Sequence, residues 1–157
     1  MLIGDNPAVA GQAKMLIGEY THIIDDKKRL AIPAKIRKEL GAKAVITRGL
    51  DNCLFIYPSK EWQKLVEKLS NLPIGQRDTR GFSRLMLAGA SEVDLDTLGR
   101  VLVPDYLKEY AQLKKNVVIA GVYNRLEIWD ETKWNAFKSQ SEKEVDNIAE
   151  RLGNLGV

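Results

Sequence analysis

The chain has 157 residues, 45% of them hydrophobic and 29% charged, with one cysteine, one histidine and a formal net charge of +3. That length suits one ordinary domain or two small ones, and the composition is that of a globular protein in water. No apolar run approaches the ~20 residues of a membrane span, Cys53 alone rules out an intrachain disulfide, and the lone His22 argues against a zinc-finger type of metal site.

The tetrapeptide MLIG occurs at 1–4 and again at 15–18, but only the second copy runs into a strand-like segment, EYTHI. Residues 1–14 lack the basic stretch and long apolar core of a signal peptide, so they read as a disordered extension and the folded part is expected to begin near Met15. Cytoplasm is the expected setting. A strand is expected over about 18–25, then a charged turn, then a second short strand RLAI ended by Pro33. Proline opens the next helix at no cost, since its missing N–H has no partner there. That helix is AKIRKEL, stopped by Gly41. Two β-rich runs follow, AVITRG and CLFIYP, joined by a turn in which Asp51 and Asn52 serve the backbone. SKEWQKLVEKL closes this half as a helix with Ser59 as its N-cap.

After a lead-in helix around 76–87, QRDTRGFSRLML, the order repeats. A strand over about 90–96 leads to a charged turn, then RVLV, Pro104, a helix DYLKEYAQL, two β-rich runs NVVIAG and RLEIWD, and a long closing helix. The closing helix has Asp130 as its N-cap and Gly153 as its stop. Asp25, Arg29 and Pro33 match Asp96, Arg100 and Pro104 at an offset of 71. Gly49, Asn52, Leu54, Ile56 and Trp62 then match Gly121, Asn124, Leu126, Ile128 and Trp134 at an offset of 72. This is internal duplication, with 15–87 as the first half and its connecting helix, and 88–157 as the second half with its C-terminal helix. Leu54, Ile56, Leu126 and Ile128 alternate with other residues and should face the core. Each half is too small to bury a core alone, so the expected architecture is α+β and β-rich: one intertwined β-barrel with helices outside it.

The charged turn is the repeated feature that could carry chemistry. Each copy places an acid four residues before an arginine between two strands. Gly99 sits where a tight turn wants positive φ, and Lys28 stands at the same place in the first copy, so that turn is either strained or different. The acid can orient the guanidinium and leave its other donors for a phosphate or a guanine edge. The plainer reading is an ion pair that only pins the hairpin. From Asp25 to Arg48 there are eight basic and three acidic residues, a local +5, and from Asp96 to Arg125 five and three, a local +2. Basic clusters at repeated turns are the footprint of a phosphate-backbone binder, although a solvated helix face alone would account for Lys35 and Lys38. Arg77, Arg80 and Arg84 share a helical face and could meet phosphates, acids of a neighbouring subunit, or solvent.

Enzyme readings find no complete site. There is no nucleophile elbow, phosphate loop, dinucleotide fingerprint or metal-ligand spacing, and no cofactor or metal is expected. His22 reads as a strand residue with a satisfied ring, Cys53 as an ordinary strand thiol, and Trp62 and Trp134 as packing anchors.

HIIDDKKRLAIPAKIR, GLDNCLFIYP, RLMLAGASEVDLDTLGRVLVP and the WDETKW stretch together resemble the MraZ family over about residues 15–155. The resemblance implies an AbrB-like swapped-hairpin β-barrel, duplicated within one chain. It implies a cytoplasmic, nucleoid-associated transcriptional regulator, expected to repress the division and cell-wall gene cluster. Such a regulator assembles into rings of about eight subunits and binds tandem repeats of double-stranded promoter DNA. Carried onto this chain, it implies Arg29 and Arg100 as DNA contacts, Asp25 and Asp96 as orienting acids, and Lys27, with Lys28, as neighbouring contacts. Lys28 departs from the family's usual glycine. Two alternatives stay open: an AbrB-like antitoxin, for which a long disordered C-terminal arm is expected, and an oligomeric scaffold with no nucleic-acid role.

Overall fold

The computed structural model of the chain describes residues 15–156; the extension expected at 1–14 lies outside the described residues. The elements of the first half are β1 (Leu16–Ile23), β2 (Arg29–Ala31), α1 (Ala34–Leu40), β3 (Lys43–Arg48), β4 (Leu54–Pro58) and α2 (Ser59–Ser70). Helix α3 (Arg77–Ser83), continued by a π-helical turn Arg84–Ala88, connects to the second half. That half holds β5 (Ser91–Asp94), β6 (Arg100–Leu102), α4 (Asp105–Tyr110), β7 (Asn116–Tyr123), β8 (Leu126–Asp130) and α5 (Glu131–Gly153).

The halves exchange strands. Antiparallel hairpins β3–β4 and β7–β8 form the middle of a six-stranded sheet of order β1-β7-β8-β4-β3-β5. Its outer strands come from the opposite half: β1 pairs with β7, and β5 pairs with β3. β2 and β6 also pair across the halves, as a two-stranded ribbon. Neither half therefore completes its own sheet, which is the swapped-hairpin arrangement in an α+β chain.

Alternation along the central strands explains where the helices sit. Leu54, Ile56, Leu126 and Ile128 are fully buried and point into one core, which also takes Leu30 and Val101 from the ribbon. The intervening Phe55, Tyr57 and Trp129 point the other way. They form a second cluster with Cys53, Leu69 and Met86, flanked by Trp62 and Trp134. Strands apolar on both faces need a cover on each side, and α2 and the first turns of α5 supply it here. Each fully buried Leu or Ile contributes about 1.5–3 kcal/mol, so truncating Leu54 or Ile128 would remove about 2–5 kcal/mol.

Several local expectations are corrected. Ser59 is the first residue of α2 rather than its cap; the N-cap is Pro58, and the Ser59 hydroxyl donates to the Lys43 carbonyl at 3.1 Å. Asp130 does occupy the N-cap of α5, but its carboxylate accepts the Lys114 N–H at 3.2 Å instead of a helix N–H. Gly153 is the last helical residue, not the stop after it. Helix α4 ends at Tyr110, three residues early, because Gln112 turns to φ 53°. Gln112 thereby has a positive φ at the place where Gly41 has φ 89° after α1. The second repeat then has two extra residues before β7 and one fewer in the turn to β8, so Gly121 stands opposite Leu126 as Arg48 stands opposite Leu54, and not at the place of Gly49. Cys53 precedes β4 and donates to the Leu50 carbonyl at 3.1 Å, so it is a turn residue rather than a strand residue.

Candidate nucleic-acid interface

The two charged turns are the same structure made twice. In the first, Asp25 Oδ1 accepts the N–H groups of Lys27 and Arg29 at 2.9 Å, and Oδ2 accepts Arg29 Nε at 2.9 Å. In the second, Asp96 Oδ1 accepts Leu98 N–H at 2.9 Å and Arg100 N–H at 2.8 Å, and Oδ2 accepts Arg100 Nε at 2.8 Å. The backbones close alike: Lys28 N–H to Asp25 O and Gly99 N–H to Asp96 O, both 2.9 Å. This is a three-residue hairpin loop, a turn followed by one left-handed residue. Each aspartate spends both oxygens on its own turn. Each arginine is held through Nε, and its two terminal nitrogens have no partner among the described residues.

The aspartates are held as anions. The Arg29 backbone N–H, foremost, keeps the Asp25 carboxyl below its ordinary value of 3.8, with help from the Arg29 side chain and the Lys27 N–H. Arg100, again through its backbone N–H first, does the same for Asp96.

Lys28 has the same turn as Gly99, not a different one. Its φ is 62° against 74° for Gly99, a conformation that costs a residue with a side chain about 1–2 kcal/mol. Two contacts hold it there. Its carbonyl accepts the Val103 N–H at 2.8 Å, as the Gly99 carbonyl accepts that of Ile32 at 2.9 Å. Its Nζ pairs with Asp105 at 2.5 Å. The second turn is backed differently: the Arg37 guanidinium lies against Gly99, where a Cβ would overlap it, and donates to the Ile32 carbonyl at 2.9 Å. Sequence reasoning passed over both partners. Asp105 and Arg37 sit on helices of the opposite half from the turns they support, and only the exchange of strands brings them there.

The ribbon brings the turns together. Leu30 pairs with Val101, Arg29 with Leu102 and Ala31 with Arg100. Leu30 and Val101 point into the core, so Arg29 and Arg100 stand on the outward face. They are offset by two rungs, roughly 7 Å along the strands at ~3.3 Å per residue. Leu102 shares that face and Leu98 tips the second turn; both are exposed.

The +5 cluster is thinner on the surface than in the sequence. Arg48 stands over the rings of Tyr106 and Tyr110 and donates to the Leu85 carbonyl at 3.1 Å, and Arg37 is engaged beneath the second turn. In the +2 window, Arg125 likewise lies over Phe55 and pairs with Glu127 at 2.9 Å. Lys27, Lys35, Lys38 and Lys43 remain exposed. Among the described residues no group of three or more His, Cys, Asp or Glu side chains could hold a metal ion, and no helix is long and apolar enough to cross a membrane.

Comparison with known proteins places the chain. The family described as "MraZ protein, putative antitoxin-like" matches twice, over residues 15–85 and 86–154. A relative named transcriptional regulator MraZ from Natranaerobius thermophilus is 51% identical over 143 residues, which cover 91% of this chain and all of the relative. Relatives of the same name from Caldicellulosiruptor saccharolyticus and Clostridium beijerinckii are each 48% identical over the same shares. These relatives are named as regulators of transcription, not as enzymes. Two matches of one family to one chain are what an internally duplicated sequence would produce, and the chain belongs to the MraZ family.

Proposed function

We propose that the chain is a sequence-specific, double-stranded-DNA-binding transcriptional regulator. It reads DNA with the ribbon that carries Arg29 and Arg100. The observation that carries this reading is the pair of Nε-anchored guanidiniums on the outward face of a two-stranded antiparallel ribbon. The major groove is wide enough for such a ribbon, and an arginine with free terminal nitrogens matches the O6/N7 edge of guanine. Asp25 and Asp96 fix each arginine before DNA arrives, so little side-chain freedom is lost on binding. Lys27 supplies salt-sensitive phosphate contact, and Lys28 joins it by exchanging Asp105 for a phosphate. Gly99 lets the second turn form without strain.

Each half, 15–87 and 88–157, contributes one turn. A ring of about eight copies would repeat the pair around a rim and engage tandem promoter repeats together, raising avidity through effective concentration. The regulated genes are those of the division and cell-wall cluster, the effect is repression, and the protein works in the cytoplasm on the nucleoid. The names of the relatives support the regulatory part of this reading. The family's antitoxin-like description keeps one alternative, in which the same ribbon binds DNA while another part holds a toxin. That alternative expects a disordered C-terminal arm, whereas residues 131–153 are helical.

The test is Arg29→Ala and Arg100→Ala in the intact protein, assayed by DNA titration. Loss of specific binding by a folded variant supports the reading; unchanged binding by both defeats it.

A further inference from the structure

Helix α5 is longer than its packing requires. Its first turns are seated: Trp134 joins the aromatic cluster, and the Phe137 ring stacks on Trp129 at 5.2 Å. From Asn135 to Gly153 every residue except Ser141 and Ile148 is exposed, and no residue of the helix is buried. Lys138 pairs with Glu19 at 3.2 Å, and the fifteen-residue helical stretch beyond it is of a length that is marginal in water without packing. Yet it carries an apolar stripe. Val145, Ile148 and Leu152 follow at helical spacing, in line with Trp134 and Phe137 on the seated turns. By the same geometry Glu142 flanks the stripe on one side and Glu144 on the other. Residues 142–150 hold four acids against one base, Lys143.

A complementary surface lies elsewhere on the chain. Between the end of α2 and α3 runs a groove of about 290 Å³, with Leu69, Leu72, Ile74 and Leu87 in its lining and Arg80 and Arg84 beside them. Leu72, Ile74 and Leu87 are 44%, 79% and 40% exposed. Arg80 is partly used, donating to the Ile74 and Gly75 carbonyls at 3.1 Å. Arg77 and Arg84 form no ion pair among the described residues. The groove is apolar with a basic rim, and the distal part of α5 is apolar with acidic flanks.

We propose that the distal half of α5 of one copy of this chain docks in the α2–α3 groove of the next copy. Val145, Ile148 and Leu152 lie on Leu72, Ile74 and Leu87, and Glu142 and Glu144 face Arg77 and Arg84. This rests on the oligomer reading given above and adds the surfaces that meet. The two patches are different, so the contact is head to tail, the kind that closes a ring when its rotation allows. Docking also buries the face that leaves α5 marginal alone.

The test uses the full chain without DNA, by sedimentation velocity at micromolar concentration. One variant disables the arm (Val145→Asp with Ile148→Asp) and another the groove (Ile74→Asp with Arg84→Glu). None of these side chains is buried, and circular dichroism checks that both variants stay folded. The wild type is expected to sediment as an oligomer and each variant alone as a monomer. An equimolar mixture of the two is expected to form a species of two chains and stop there, since one good arm meets one good groove. A monomeric wild type, a variant that assembles as the wild type does, or a mixture that stays monomeric would each overturn the proposal. An Arg29→Ala and Arg100→Ala protein should assemble as the wild type does, so failure of DNA reading and failure of docking show up separately.

Discussion

Leu30 and Val101 face each other at the centre of the β2–β6 ribbon, both buried. That one rung sets the direction of everything around it. Side chains alternate along a strand, so burying this pair turns the flanking Arg29 and Arg100 outward together. A one-residue slip of one strand past the other would put the two arginines on opposite faces, with one of them in the core.

Because each arginine is presented by its own aspartate, the two should act as separate readers. Arg29→Ala and Arg100→Ala should each weaken specific DNA binding by about 1–3 kcal/mol, roughly 5- to 150-fold, with little change in Tm. Asp25→Asn should weaken it less, by loosening Arg29 rather than removing it. Fluorescence anisotropy titrations alongside thermal melts check this.

Lys28 combines backbone strain with a useful charge. Lys28→Gly should relieve the positive φ and raise stability by about 1 kcal/mol. It should also lower the slope of log affinity against log salt by about one, as for a lost phosphate contact. Asp105→Ala should do the reverse for binding, since Lys28 no longer has to leave a partner; an exposed pair of this kind is worth up to about 1 kcal/mol, a few-fold in affinity. Thermal melts and a salt series for both variants decide the matter.

The second turn depends on having no side chain at Gly99. Gly99→Ala combines a strained φ with overlap on the Arg37 guanidinium. It should cost about 1–3 kcal/mol and weaken binding through Arg100 more than through Arg29. Adding Arg37→Ala should relieve the overlap but not the strain, giving partial recovery in a urea melt.

The aspartates set an acid limit. Their folded-state pKa values lie below the ordinary 3.8, so their contribution is complete above that value and is lost as pH falls through the lower folded value. DNA binding should stay level with respect to these two groups from pH 5 to 8. The turns should loosen only below about pH 4. Backbone amide NMR shifts of Lys27, Arg29, Leu98 and Arg100 followed through an acid titration would show it; a midpoint above 4 would contradict the assignment.

Much of this was legible in the chain. The duplicated Asp-to-Arg spacing, the positive φ at residue 99 and the core alternation at Leu54, Ile56, Leu126 and Ile128 are local, and local signals survive in sequence. The supports of the turns were not legible. Nothing at position 37 announces that its guanidinium lies under Gly99, and nothing at 105 points to Lys28, because both contacts arise only when strands cross between halves. Charge counting misled for a related reason: Arg48 counts as +1 in a window of sequence, but its guanidinium stands over two tyrosine rings. Ser59 and Asp130 look like caps, yet the hydroxyl of one and the carboxylate of the other are taken by neighbouring loop and strand backbone.

The most direct measurement is a gel-shift titration of the full-length protein against the DNA upstream of its own gene and against a scrambled copy, at two salt concentrations. Tighter binding to the upstream DNA, weakening as salt rises, is expected, with loss of that preference in the Arg29→Ala, Arg100→Ala double variant. Equal affinity for both DNAs, or a preference that survives loss of both arginines, would contradict this reading.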